Sequence, residues 1–317
     1  MSRDFRHVLA SFYGTPWAIH PPKLKEIERA LWVRIGTGHD VTPQAWDDAK
    51  PRADVGMIDG EDGGFIRYDD DIALVPIQGT ITQRPSVFSA FSGGTSAEEI
   101  CRAMDQAAAD RTIRCIVLDV DSPGGTVLGL PEAASRVAAA AKQKPIFAIA
   151  NAFAASAAYW LASQATELYC TPSGMVGSIG VISAHVDESR AEEMAGIKTT
   201  LITSGKFKGE TDASQALTED ARANQQAISD QYYTMFQNAV ATGRRVTASK
   251  VEADFGQGRM KTAADALASG MIDGILTRDE LLAKVRRQVP AGASPAALDR
   301  GRRERAAIMA QKFLPTH

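Results

Sequence analysis

The sequence predicts an α/β fold built on a largely parallel sheet, preceded by a small helical N-terminal extension. Three observations carry this reading. Near-continuous apolar runs, residues 113–120 and 145–150 above all, read as strands buried on both faces. Stretches of helical period separate such runs, so strands and helices alternate along the chain. The 317 residues are 44% hydrophobic and 23% charged, as expected for a globular domain with appendages.

The elements follow in order. Residues 21–35 open with two prolines and place Leu24, Ile27, Leu31 and Ile35 at helical spacing, an amphipathic helix for docking on the main domain or on another subunit. Trp17 and Trp32 read as anchors of that docking. Residues 1–40 form this extension. Residues 41–71 are rich in Asp, Glu and Gly and read as an exposed acidic linker with a short hairpin at its end. The main domain, 72–289, begins with a strand over 72–78, where Pro76 marks an edge or a bulge. A helix over 96–109 carries Ser96 and Glu99 in capping-box spacing. The strand 113–120, a helix over 128–141 and the strand 145–150 follow. Further strands are expected at 167–170 and 199–203, and helices at 188–195, 218–242, 263–268 and 278–285. Residues 290–317 are a tail carrying Arg300, Arg302, Arg303 and Arg305, a basic run of the kind that is usually a solvated helix face.

Composition narrows the function classes. A net charge of −3 gives no bulk attraction to nucleic acid or to an acidic membrane. Cys101, Cys115 and Cys170 are odd in number and match no metal spacing, so they read as reduced core residues. The five histidines form no His-x-x-x-His pair, and neither metal nor cofactor is expected. The N-terminus has no secretory pattern, and the uncharged stretch 145–166 is mostly Ala with Asn151, Ser156, Ser163 and Gln164, too polar for a membrane span.

Four local features carry chemistry. Ser156, in Asn151-Ala-Phe-Ala-Ala-Ser-Ala-Ala-Tyr-Trp160, sits where a strand hands over to a helix, beside N–H groups that lack intrahelical partners. A serine there also fits as a plain N-cap. The alanines around it would let a substrate backbone come close. Asp121-Ser-Pro-Gly-Gly125 follows a buried strand, and its glycines can leave N–H donors open for an oxyanion; it also reads as an ordinary Pro-Gly turn. In Thr203-Ser-Gly-Lys-Phe-Lys-Gly209, Lys206 and Lys208 share strand parity, so periodicity does not choose between them. A lysine acts as a base near neutral pH only where burial disfavours its charged form, and two surface lysines are the plainer reading. Ser178 lies in the Gly-rich turn Val176-Gly-Ser-Ile-Gly180.

Together these segments resemble the signal peptide peptidase A family of serine proteases, which work with a Ser–Lys dyad. The resemblance covers roughly residues 72–282 and implies the Clp protease/crotonase-like α/β fold with repeated ββα units. It implies Ser156 as nucleophile, although alanines stand where the family has two glycines. It selects Lys208 over Lys206 as the base, gives Ser178 a helper role and makes Gly124 and Gly125 the oxyanion turn. Residues 263–274 resemble the family's closing segment. Phe12-Tyr-Gly-Thr-Pro-Trp-Ala-Ile-His20 and the following helix resemble the phage and prophage relatives, which process capsid and scaffold proteins.

The expectation is therefore a homo-oligomeric serine endopeptidase of the host cytoplasm or the procapsid, acting on proteins, with no nucleic acid or membrane partner. A soluble bacterial enzyme degrading signal peptides or misfolded chains is the nearest alternative. An acyl-CoA enzyme on the same fold, or a catalytically idle scaffold, represents the other classes.

Overall fold

The computed structural model describes residues 6–36, 65–69, 71–85 and 94–288. The expected basic tail and residues 41–64 of the expected acidic linker lie outside them.

An eight-stranded sheet forms the centre. Its main path runs β10 (Gly274–Ile275), β7 (Glu167–Cys170), β6 (Ile146–Ala155), β4 (Cys115–Ser122), β3 (Ile72–Gln78) and β2 (Ile66–Tyr68). β2 joins β3 antiparallel, the hairpin expected at the end of the acidic stretch, and the other pairs on this path are parallel. β2 reaches only Ile72–Leu74, so Pro76, whose missing N–H would interrupt a ladder, lies past the end of that pairing.

Strand parity distributes the apolar residues over two cores. Ile72, Leu74, Cys115, Val117, Phe147 and Ile149 face the helix α10 (Arg278–Gln288) through Leu281, Leu282 and Val285. Ala73, Val75, Ile77, Ile116, Leu118, Val120 and Ala148 face the opposite way, onto α3 (Ala97–Ala109) and α4 (Leu130–Ala141). Burial on both faces is why these strands read as apolar runs without alternation. The capping box is formed: Ser96 Oγ accepts from the Glu99 N–H at 3.1 Å, and Glu99 accepts from the Ser96 N–H at 2.7 Å.

Three further features position the site. β6 is broken by an irregularity between its pairings with Val120 and Ser122, where Ala152 has φ 99°. Before the break β6 pairs with β7, and after it with β8 (Met175–Gly177), so one strand leads into two neighbourhoods. β9 (Met260–Thr262) closes the second as an antiparallel partner of β8. The short helix α5 (Ala157–Ala162) follows β6 directly and is wholly buried.

The N-terminal unit has its own apolar cluster. α1 (Arg6–Tyr13), β1 (Trp17–Ile19) and α2 (Pro21–Gly36) bring together Leu9, Phe12, Trp17, Ile19, Ile27 and Leu31. Trp17 is buried as expected, whereas Trp32 is exposed and only reaches Tyr13. β1 docks this unit on the main domain by pairing antiparallel with β5 (Gly124–Thr126).

One expected strand is absent. Residues 199–203 form no ladder, and Ile202 is 97% exposed. An apolar run needs a partner strand to be an element, and here none is supplied; every residue from Glu193 to Lys208 is exposed. This arm follows α6 (Ser189–Met194) and precedes α7 (Glu219–Arg244). Among the described residues no helix is long and apolar enough to cross a membrane.

Candidate active site

Ser156 stands between β6 and α5 with φ 53° and ψ −116°. A residue with a Cβ is strained in that region. The conformation is held from several sides. The Ser156 N–H donates to Gly177 O at 2.7 Å, and its carbonyl accepts from the Trp160 N–H at 2.9 Å. Below it, Tyr159 donates its hydroxyl to Met271 O at 2.9 Å, and Trp160 stacks on Phe236 of α7 at 4.5 Å between centroids. The Ala-Tyr-Trp segment is thus an anchor that over-determines the elbow.

The hydroxyl does not cap α5: no side-chain cap bond forms, although Ser156 occupies the N-cap position. It donates instead to Gly180 O at a long 3.4 Å. The plain N-cap reading is thereby set aside. A serine hydroxyl on a strained strand-to-helix turn, released from capping, has the geometry of a nucleophile. Ala154, Ala155, Ala157 and Ala158 are fully buried. Their small size lets the sheet and helices close around the elbow; they do not line an open groove, contrary to the sequence expectation.

Gly124 and Gly125 lie alongside. Gly124 has φ 99°, and a Cβ there would meet Ala18 O at 2.4 Å and Ala155 O at 2.9 Å. The turn therefore abuts the residue before Ser156. A Cβ on Gly125 would lie 1.7 Å from Ile81 O, so both positions demand glycine. The Gly124 N–H lies 3.2 Å from Ser122 Oγ, which itself donates to Gly79 O at 2.6 Å.

Ser178 has φ 54° and hangs from β8, its N–H donating to Arg259 O at 2.9 Å. It lines a cavity of about 420 Å³ together with Ile19, Gly180, Ile182 and Tyr233. Gly180 is the acceptor of the Ser156 hydroxyl, so this cavity adjoins the serine. His20 lies at the same end, 6.2 Å from the Phe153 ring, and burial pushes its imidazole below the usual histidine range.

Lys208 is not brought to this cluster within the single chain. It sits on the exposed arm, its N–H donating to Gly205 O at 3.0 Å, and among the described residues no hydrogen bond joins its side chain to Ser156. Lys206 lies 4.6 Å from the Phe207 ring. The parity that left these two lysines unresolved has no strand to rest on. Sequence reasoning missed β1, which crosses the site. Its signal was weak, three residues between a proline and a His-Pro-Pro run.

A parallel α/β sheet that delivers a serine on a strained elbow, beside a glycine pair, defines the class: an α/β protein with a serine site at the carboxyl end of its central strands. Residues 138–291 match the model of Peptidase family S49. Head-tail preconnector protein GP5 of Enterobacteria phage P21 is 32% identical over 256 residues, 78% of this chain and 51% of that protein. Capsid assembly protease C of Escherichia phage lambda is 28% identical over 293 residues, 90% of this chain and 66% of that protein. Chloroplastic serine protease SPPA of Arabidopsis thaliana is 26% identical over 224 residues, 70% of this chain and 33% of that protein. The chain thus spans between a third and two thirds of these relatives' lengths. Among solved structures, a mutant of the 1510-N membrane-bound stomatin-specific protease is 16% identical, covers 72% of this chain and 87% of its own, and has a TM-score of 0.42.

Proposed function

We propose that this chain is a serine endopeptidase that processes capsid or scaffold proteins during phage head assembly. The observation that carries the reading is the strained, non-capping hydroxyl of Ser156 within the segment that matches this family. The names of the two phage relatives, a capsid assembly protease and a head-tail preconnector protein, support the substrate class. Ser156 attacks the peptide carbonyl, and donors at the Gly124–Gly125 turn hold the oxyanion.

Lys208 is the proposed base. It works only once the arm folds against Ser156 of the same or a neighbouring subunit and shuts out water. Met194, Ile202 and Phe207 on or beside this arm are exposed apolar side chains, a surface suited to burial between copies of the chain. Ser178 then supports the lysine. A cytoplasmic or procapsid location belongs to the same reading, and so does the division into extension, acidic linker, peptidase domain and basic tail.

The test is intact-mass analysis of the purified wild type beside Ser156→Ala and Lys208→Ala, alone and with capsid or scaffold chains. Fragments are expected from the wild type only. Fragments from either variant refute the dyad.

A further inference from the structure

β1 runs along the Gly124–Gly125 turn that is proposed above to hold the oxyanion. Both of its edges are hydrogen-bonded. On one side, the Trp17 N–H donates to Ile182 O and the Ile182 N–H donates to Trp17 O, each at 2.8 Å. On the other, β1 pairs antiparallel with β5 in the register Trp17 with Thr126, Ala18 with Gly125 and Ile19 with Gly124. That ladder continues past both ends, from the Val127 N–H to Pro16 O at 3.1 Å and from the His20 N–H to Pro123 O at 2.7 Å. Antiparallel pairs alternate between bonded and non-bonded classes, so Ala18 and Gly125 exchange hydrogen bonds. The polar edge of the Gly124–Gly125 turn is thus engaged by this chain's own N-terminus.

The strand also points at the serine. Its first residue lies against Thr126 and Ile182, and its last lies opposite Gly124, which abuts Ala155. Ile19 and Pro21 line the cavity with Ser178 and Gly180. At Pro21 the chain leaves the extended conformation and α2 begins, so the occupant turns away instead of continuing past Ser156. The six-residue cluster that holds Trp17 and Ile19 is separate from the two cores of the sheet, while Ala18 between them packs into the larger core, so the strand enters that core through one small side chain.

We propose that Trp17–Ile19 is an intramolecular plug: it fills the peptide-binding cleft by strand addition, and an extended apolar substrate segment must displace it to reach Ser156. This rests on the serine peptidase reading above. The plug lowers apparent affinity for substrate by the fraction of molecules that are open.

The test locks and releases the strand in one molecule. Directly opposed, hydrogen-bonded residues on antiparallel strands have Cα atoms about 5.5 Å apart, within the range of a disulfide. Trp17→Cys combined with Ile182→Cys therefore closes the cleft when oxidised and frees it when reduced. Two readouts are taken at a protein concentration where sedimentation shows the chain assembled: cleavage of a reporter substrate, and binding of a labelled peptide of residues 14–20, the latter repeated with Ser156→Ala added. Reduction is expected to raise both at least ~10-fold over the oxidised form. Equal values in the two forms overturn the plug. Peptide binding that follows the lock while neither form cleaves supports the plug and refutes the peptidase reading. Should the double variant fail to fold, wild-type hydrogen exchange decides: excess peptide 14–20 is expected to speed exchange at Trp17 while Gly125 stays protected. Unchanged exchange at Trp17 overturns the proposal.

Discussion

The backbone at Ser156 makes a stability prediction that separates strain from chemistry. Replacing Ser156 by Ala keeps the Cβ and so keeps the strain of φ 53°, ψ −116°. Replacing it by Gly removes the Cβ. Strain at such positions is about 1–3 kcal/mol, and glycine gives back about 0.5–1 kcal/mol through backbone entropy. The Ser156→Gly protein should therefore be more stable than Ser156→Ala by roughly 1 kcal/mol, or ~2–4 °C in Tm for a domain of about this size. The lost hydroxyl contributes little to the difference, because its 3.4 Å contact with Gly180 is long and both variants lack it. Ala155→Gly, one residue earlier and without a positive φ, is the control and should lower Tm. Calorimetric melts of the three variants beside the wild type are the assay, with cleavage run on the same samples; neither variant at 156 should cleave. A Ser156→Gly protein that melts at or below Ser156→Ala would show that the elbow stores no strain, and the argument from backbone to nucleophile would fail.

Other outcomes follow from the same structure. Asp273→Ala should cost about 3–5 kcal/mol in denaturant unfolding, since it strands the buried Arg244 guanidinium, whose Nη1 and Nη2 now lie 2.9 and 3.1 Å from that carboxylate; Asp273 also accepts from the Leu168 N–H, so β7 should lose exchange protection as well. Burial pushes the Cys115 thiol up to about 12 and Cys170 up to about 11. Both should resist iodoacetamide at pH 8 in the native protein and react on unfolding, as read by mass spectrometry. Because the unfolded thiols ionise first, the stability these groups contribute is full below about pH 8.5 and fades as pH rises toward their folded values, so alkaline melts should decline over that window. Cleavage per subunit should fall on dilution if Lys208 is delivered by assembly, checked against sedimentation of the same samples; constant specific activity across dissociation would place the base within one chain.

Much of the fold was legible because its signals are local. Parity within 72–78 and 113–120 sorts side chains between two cores, and Ser96 with Glu99 fixes a helix start within four residues. Ser156 was legible as a position, the junction of an apolar strand and an Ala-rich helix. Its φ was not, because the strain comes from contacts with Gly177 and from anchors at Met271, 112 residues from Tyr159, and at Phe236, 76 residues from Trp160. β1 escaped because three residues show no period, and its partners lie far along the chain, Gly125 at 107 residues from Ala18 and Ile182 at 165 from Trp17. The run at 199–203 misled for the converse reason. Its β-branched composition is that of a strand, but propensity without a paired neighbour does not make one.

The two surprises bear on one another. In the single chain the Gly125 edge is engaged by Ala18, and Lys208 stands on an arm exposed along its length. A chain built this way is arrested at two points: the cleft is full and the proposed base is absent. Each arrest is released by moving a segment only lightly held by the sheet's cores: the N-terminal unit, which has its own cluster and contributes Ala18 to the larger core, and the arm that carries Phe207. Neither movement requires the Ser156 elbow to change, since its strain is borne by β8, Tyr159 and Trp160. The endopeptidase proposed above has a use for such an arrangement, because a nucleophile kept ready in every free subunit would cut whatever chain reached it first. The two releases are separable: freeing β1 alone should expose the peptide cleft without restoring cleavage in dilute subunits, whereas assembly with β1 locked should leave the base in place and the cleft shut.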